Sequence, residues 1–366
     1  MLLGTGLGAA CGLPGCARGQ SAPQTSLPGL RRQARAAGRS FGAAIRSEIL
    51  ATDPAYAALY AAECELLTPE WEAKWQALQP EEGRYDFSNL APLIAFAQAN
   101  QQRLRGHALI WHEAMPAWLT VALREDGSRA RAILEAHFNA VLTATRQTIR
   151  DWDVVNEPVA NPPGSDNPQA GDNIYRESPW FRALGRDYIE IALRWARAHD
   201  PTLRLTINEY GIEEATPDAA IKRARLLTLL RHLLDRGSPL DAVGIQAHLQ
   251  LRRPFQPEPF ARFVAELRGM GLAVLITELD VREDDQLPAG IEARDAAVAA
   301  RTAAFVGAAV EAGCRNVITW GLSDRDSWLV KEPAVARPDG VTTRGLPFDE
   351  ALQRKPMWHA LAAALR

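Results

Sequence analysis

Eight short apolar runs, separated by stretches of amphipathic helical periodicity, recur along this chain from Ser40 to its end. The strand candidates are Phe41–Ile45, Cys64–Leu67, Leu104–Ile110, Trp152–Asn156, Leu203–Asn208, Ala242–Ala247, Ala273–Thr277 and Asn316–Trp320. Helical periodicity fills the gaps at Arg131–Arg150, Trp180–His199, Ala219–Arg236, Pro259–Met270 and Ala293–Ala312. Branched apolar runs without alternation suit strands buried on both faces, and strands alternating with helices imply a parallel sheet. Eight such units in one 366-residue chain predict an α/β fold, a single (β/α)8 TIM barrel with enlarged loops. The rival, a doubly wound open sheet, would place a Gly-rich turn after its first strand, and no GxGxxG stands there.

The strand ends carry the chemistry. Trp152-Asp153-Val154-Val155-Asn156 delivers Glu157, and Ala273-Val274-Leu275-Ile276-Thr277 delivers Glu278. Two strand candidates lie between them, so Glu157 ends strand four and Glu278 ends strand seven. In a closed parallel barrel both ends open onto one face. Two carboxylates facing one cleft are the minimum equipment for breaking a glycosidic bond. Other polar or aromatic groups fall at strand ends as well. They are Glu70 with Lys74 after strand two, His107, Trp111 and His112 at strand three, Asn208 and Glu209 at strand five, Gln246 and His248 at strand six, and Trp320, Asp324 and Trp328 at strand eight. Unpaired polar groups beside a core are costly, so this concentration calls for a function.

Composition removes other classes. A net charge of -3 leaves no basic footprint for nucleic acid, and no apolar run reaches the ~18 residues of a spanning helix. Four cysteines without zinc spacing exclude a disulfide scaffold, and Cys64 and Cys314 are expected as buried free thiols. His107 and His112 lack a third ligand at metal-site spacing, so neither metal nor cofactor is expected. Residues 1–39 differ from the rest: Met1 to Cys16 is apolar and small, Gln20 to Ser26 polar, Arg31 to Arg39 basic. They read as an export leader, with Cys11 and Cys16 in loose lipoprotein-like boxes, or as a disordered tail. The catalytic domain is placed at 40–366, in a protein expected to be a monomer, periplasmic or secreted.

Five segments in order resemble the motif set of family 10 glycoside hydrolases, chiefly endo-1,4-β-xylanases on a (β/α)8 barrel. They are Gly106-His107-Ala108-Leu109-Ile110-Trp111-His112, Trp152 to Pro158, Gly244-Ile245-Gln246-Ala247-His248, Ile276-Thr277-Glu278-Leu279-Asp280, and Trp320-Gly321-Leu322-Ser323-Asp324 through Ser327-Trp328. The resemblance runs from about Phe41 to Trp358. Asn156-Glu157-Pro158 alone is shared by many barrel glycosidases; the ordered set carries the match. The resemblance implies a retaining mechanism on xylan or xylooligosaccharides, with Glu157 as general acid/base, protonated near neutral pH, and Glu278 as nucleophile. It implies that Asn156 bonds the sugar 2-hydroxyl, that His248 orients Glu278 with Asp280 behind it, and that Gln246 borders the acid. Glu70, Lys74 and His107 would bind sugar hydroxyls, while Trp111, Trp320 and Trp328 would wall the subsites. Glu209 stands where the family usually has Asp and reads as supporting structure. Trp71 stands where the family usually has Asn, and Glu113-Ala114 where it usually has Ser-Gln. Activity on a β-glucan or an aryl glycoside stays open, as does a non-catalytic carbohydrate-binding barrel, which would normally lack one glutamate.

Overall fold

The computed structural model describes Met1 and residues 29–165, 173–283 and 290–366. Eight parallel strands close on themselves: β1 Ser40–Ile45, β2 Leu66–Pro69, β3 Arg103–Gly106, β4 Ile149–Asn156, β5 Arg204–Glu209, β6 Ala242–Ile245, β7 Ala273–Arg282 and β8 Asn316–Thr319. Neighbours pair in chain order, and β8 returns to β1 to seal the barrel. All eight strand expectations lie on barrel strands. The strands are almost wholly buried because helices cover their outer face and interlocking side chains fill the inside.

Two local departures matter for the site. The third run breaks after Gly106 and rejoins β4 at Leu109 and Ile110, whose amides donate to Asp153 and Val154 carbonyls at 2.9 and 3.1 Å. A Cβ on Gly106 would meet Trp152 at 2.1 Å, so glycine is what lets the indole lie across β3. β7 is also much longer than expected. Its extension past Thr277 pairs with a three-residue strand, His248–Gln250, in the register His248 opposite Asp280. The pairing registers slip between Asp153 and Val155 on β4 and between Ile276 and Leu279 on β7. Irregular pairing of this kind re-aims side chains at the rims of barrels.

The helices run close to expectation, at Gly127–Thr145, Pro217–Asp235, Pro257–Gly269 and Ile291–Glu311. Asp126 and Thr216 cap the first two by accepting from Ser128 and Ala219 amides. The helix expected over Trp180–His199 is split by Gly185, at φ 68, into Pro179–Leu184 and Tyr188–His199.

A helix stands ahead of Ser40, the expected start of the domain. Helix Leu30–Ala36 buries Leu30 and Ala34 completely and packs against the last helix, Pro356–Ala364. Its Leu30 amide donates to Glu63 Oε2 at 2.6 Å, and the same oxygen accepts from Trp358 Nε1 at 3.1 Å. The basic look of Arg31 to Arg39 concealed this helix, because Arg31 and Arg35 spend their charge on Glu65. The leader reading, with Cys11 and Cys16, concerns residues 2–28, outside the described residues. Cys64 and Cys314 are buried free thiols. Among the described residues no helix is long and apolar enough to cross a membrane.

Candidate active site

Glu157 follows the last residue of β4, and Glu278 lies within β7 at the level where β6 ends. Each backbone is locked to the end of a neighbouring strand: Glu157 N donates to Asn208 O at 2.8 Å, and Glu278 N to Gln246 O at 2.9 Å. Glu157 holds a left-handed backbone, φ 56, and Arg176 Nε donates to its carbonyl at 2.7 Å. Such a conformation costs a non-glycine residue about 1–3 kcal/mol and persists only where its surroundings enforce it.

A continuous web of side-chain amides joins the two carboxylates. Gln246 Nε2 donates to Glu157 Oε1 at 3.0 Å and reaches Asn156 Oδ1 at 3.3 Å. Asn208 Nδ2 donates to that same Asn156 oxygen at 2.9 Å and to Glu278 Oε1 at 2.6 Å. Thr277 Oγ1 in turn fixes Asn208 Oδ1 at 2.7 Å. On the other side of Glu278, His248 Nε2 lies 3.3 Å from Oε2, while Nδ1 lies 3.0 Å from Asp280 Oδ1. Trp328 Nε1 donates to the second Asp280 oxygen at 2.5 Å. Trp328, expected as a subsite wall, is thus also tied to the carboxylate behind His248.

The charges follow from these contacts. Burial is the strongest influence on Glu278 and pushes it up, but His107, His248 and Lys74 outweigh it and hold the carboxyl below its ordinary value. Burial works against the His248 charge, yet Asp280 and Glu278 lift the imidazole well above its usual value. Its charged form is thus favoured, between two carboxylates. Burial also pushes Glu157 up, but His112, Arg176 and Gln246 outweigh it in the free protein. This differs from the elevated acid expected from the sequence. The His112 share of that pull requires a proton which burial strips from His112 above pH about 4. At neutral pH the hold on Glu157 therefore rests on Arg176, Gln246 and Trp111.

Lys74 is buried, with Nζ 4.7 Å from the Trp111 ring, 5.7 Å from Trp320 and 5.8 Å from Trp71. Burial lowers its ammonium against the opposing pull of Glu278, Glu70 and Glu157. Glu70, just past β2, is pushed up by burial and steadied by Arg46 and Lys74. His107 lies edge-on to Trp320, its Nδ1 2.9 Å from Asp153 Oδ2 and 3.9 Å from Glu278 Oε1. Contacts thus link Lys74 to Trp111 and Trp320, and His107 to Trp320 and Glu278.

Several partners escaped the sequence reading. Asp153 supports His107 and is itself gripped by both guanidinium nitrogens of fully buried Arg105. Arg176 comes from the loop beyond β4 and lacks any motif. Asn208 stood out only as a strand end, with nothing to mark it as the donor to Glu278. Glu209 accepts from the Val159 amide at 2.9 Å and pairs with Lys222 at 2.9 Å, fastening the loop after Glu157. Among the described residues no three His, Cys, Asp or Glu side chains cluster to hold a metal.

Two carboxylates joined by one web of amides, both buried at a barrel mouth walled by indoles, are suited to acid/base and nucleophilic work on a sugar. Comparison with known proteins agrees. Glycosyl hydrolase family 10 matches residues 29–364. The chain is 32% identical over 301 residues to Endo-1,4-beta-xylanase B of Thermotoga neapolitana, spanning 82% of this chain and 80% of that one. It is 31% identical over 328 residues to an Endo-1,4-beta-xylanase of Agaricus bisporus, spanning 89% and 91%. Native xylanase 10B of Thermotoga maritima superposes with a TM-score of 0.80 at 30% identity, covering 92% of this chain and 98% of that chain. Xylanase 10B of Thermotoga petrophila RKU-1, in complex with xylobiose, gives 0.79 at 29%, covering 92% and 97%. The chain belongs to glycosyl hydrolase family 10.

Proposed function

We propose that this protein is a retaining endo-1,4-β-xylanase. The observation that carries the reading is the amide web from Glu157 through Gln246, Asn156 and Asn208 to Glu278, which makes two carboxylates from strands four and seven one unit. Retention requires carboxyls ~5–5.5 Å apart, close enough to serve one anomeric carbon.

In the first step Glu278 attacks the anomeric carbon. The bond to the leaving oxygen breaks and Glu157 supplies that oxygen's proton. Substrate displaces water from the mouth, and desolvation, already the strongest influence on Glu157, then favours its protonated form. In the second step a water oxygen bonds to the anomeric carbon, Glu157 takes the proton and the Glu278 carboxylate leaves. His248, charged and held by Asp280, keeps Glu278 ionised and aimed. The Asn156 amide, beside Glu157 at 3.3 Å, faces the 2-hydroxyl. Lys74, Glu70 and His107 take hydroxyls on the non-reducing side, between Trp111 and Trp320.

The test is mutational and stereochemical. Glu278→Ala abolishes turnover. Glu157→Ala spares the first step on substrates with good leaving groups and is rescued by azide as a β-glycosyl azide. Proton NMR shows the β-anomer first. An α-anomer product, or no azide adduct, overturns the assignment. A β-glucan or aryl-glycoside preference appears in products from beechwood xylan, arabinoxylan and barley glucan compared side by side. We place the protein outside the cytoplasm as a monomer. A structurally similar protein from Thermoanaerobacterium saccharolyticum is described as an intracellular xylanase, so similarity leaves the compartment open; N-terminal sequencing of the fractionated protein decides it.

A further inference from the structure

Among the described residues, Trp71 is the one exposed Phe, Tyr or Trp side chain, at 44% of its surface. An indole left in water forfeits the gain that buries nearly all the others. It is nonetheless firmly mounted. Its amide donates to Glu72 Oε2 at 3.2 Å, Glu72 Oε1 accepts from the Ser47 amide at 2.5 Å, and its carbonyl accepts from the Lys74 amide at 3.0 Å. Its ring faces Lys74 Nζ, as do the rings of Trp111 and Trp320, so three indoles converge on one ammonium. Trp320 is only 7% exposed and Trp111 part-buried, which makes Trp71 the outermost of the three. Lys74 feels the charges of both Glu278 and Glu157, so the trio extends outward from the pair.

Resting on the glycosidase reading, we propose that Trp71 is a specificity-determining residue: an outer platform stacking on the sugar ring one position beyond the ring that Glu278 attacks, and selecting for an all-equatorial β-pyranose. Such a ring shows only axial C–H bonds on each face, which match the apolar indole. Its hydroxyls, and any branch they carry, lie in the ring plane and stay in water. An axial hydroxyl on the face that meets the indole would be pressed into it and stripped of solvent, a cost that stacking does not return. The platform therefore reads the configuration of the stacked face and passes over in-plane decoration.

The test compares an aryl β-xyloside, with one ring on the non-reducing side, against an aryl β-xylobioside, with two. Trp71→Ala lowers the ratio of kcat/KM between the two-ring and one-ring substrates by about tenfold, while Trp71→Phe retains most of it. An unchanged ratio overturns the proposal. So does an equal fall on both substrates, which marks a merely structural residue. Xylobiose binding to Glu278→Gln, followed by tryptophan fluorescence, separates the platform from the chemistry. Binding that weakens on adding Trp71→Ala supports the platform even if the parent cleaves neither substrate, in which case the glycosidase reading alone fails. Xylobiose binding that is the same with and without Trp71→Ala sinks the platform.

Discussion

Asp280→Asn should move the acid limb of the kcat/KM profile upward by about 1–2 pH units. The substitution keeps the size of the side chain and leaves an acceptor for Trp328, but removes the charge 3.0 Å from His248 Nδ1. His248 owes its raised pKa first to Asp280, against the opposing effect of burial. Without that carboxylate, burial, the largest influence on His248, keeps the imidazole neutral into the acid range, and Glu278 loses a charged partner at 3.3 Å. A hydrogen bond to a charged group contributes ~1.5–3 kcal/mol, and one pKa unit is about 1.36 kcal/mol, which gives about 1–2 units. The sign follows from the role. Glu278 attacks as the carboxylate, its pKa now lies below the ordinary value, and losing the imidazolium raises it. The fraction ionised at low pH then falls. The assay is kcat/KM on an aryl β-xylobioside from pH 3 to 8, with thermal unfolding run in parallel to check the fold. Because kcat/KM reports the free enzyme, the limb is that of unliganded Glu278. The reasoning is refuted by a profile that drops uniformly without shifting, since His248 would then merely position Glu278.

Three further substitutions probe contacts made only in the folded barrel. A Cβ on Gly244 would sit 2.2 Å from Asn208 Oδ1 and 2.9 Å from Thr277 Cγ2. Gly244→Ala should push Asn208 off Glu278 and cut kcat about 10–100-fold, the worth of one hydrogen bond to a charged group, with Asn208→Ala giving a comparable loss. Steady-state kinetics of both checks this, and parental kcat in either refutes it. Lys355 Nζ is buried and donates to Asp324 Oδ2 at 2.7 Å and to the Arg344 and Leu346 carbonyls at 2.6 and 3.0 Å. Lys355→Met strands the Asp324 carboxylate and should destabilise the fold by about 3–5 kcal/mol in urea unfolding.

Much of the barrel is legible without coordinates because its signals are local. A buried parallel strand is a run of neighbouring branched residues, and its end is wherever a polar residue interrupts the run. Val155-Asn156-Glu157 announces both in three positions. The same logic misplaced elements where local signals conflict. Arg131–Arg150 ran past its helix end because Arg150 already belongs to β4. The basic stretch from Arg31 hid a helix whose buried face is only Leu30, Gln33 and Ala34.

The chain alone thus determined the eight-unit layout, the two carboxylates and the indoles around them, since each is written in residues adjacent in sequence. Closure of the barrel decided what those carboxylates feel. Asn208 and Glu278 are 70 positions apart, Asp153 and Arg105 are 48 apart, and neither contact leaves a periodic trace. Charge and hydrogen bonding act over a few ångströms of space whatever the chain distance. The partner of a group, and with it the group's acidity, is therefore set only once the strands have found their register.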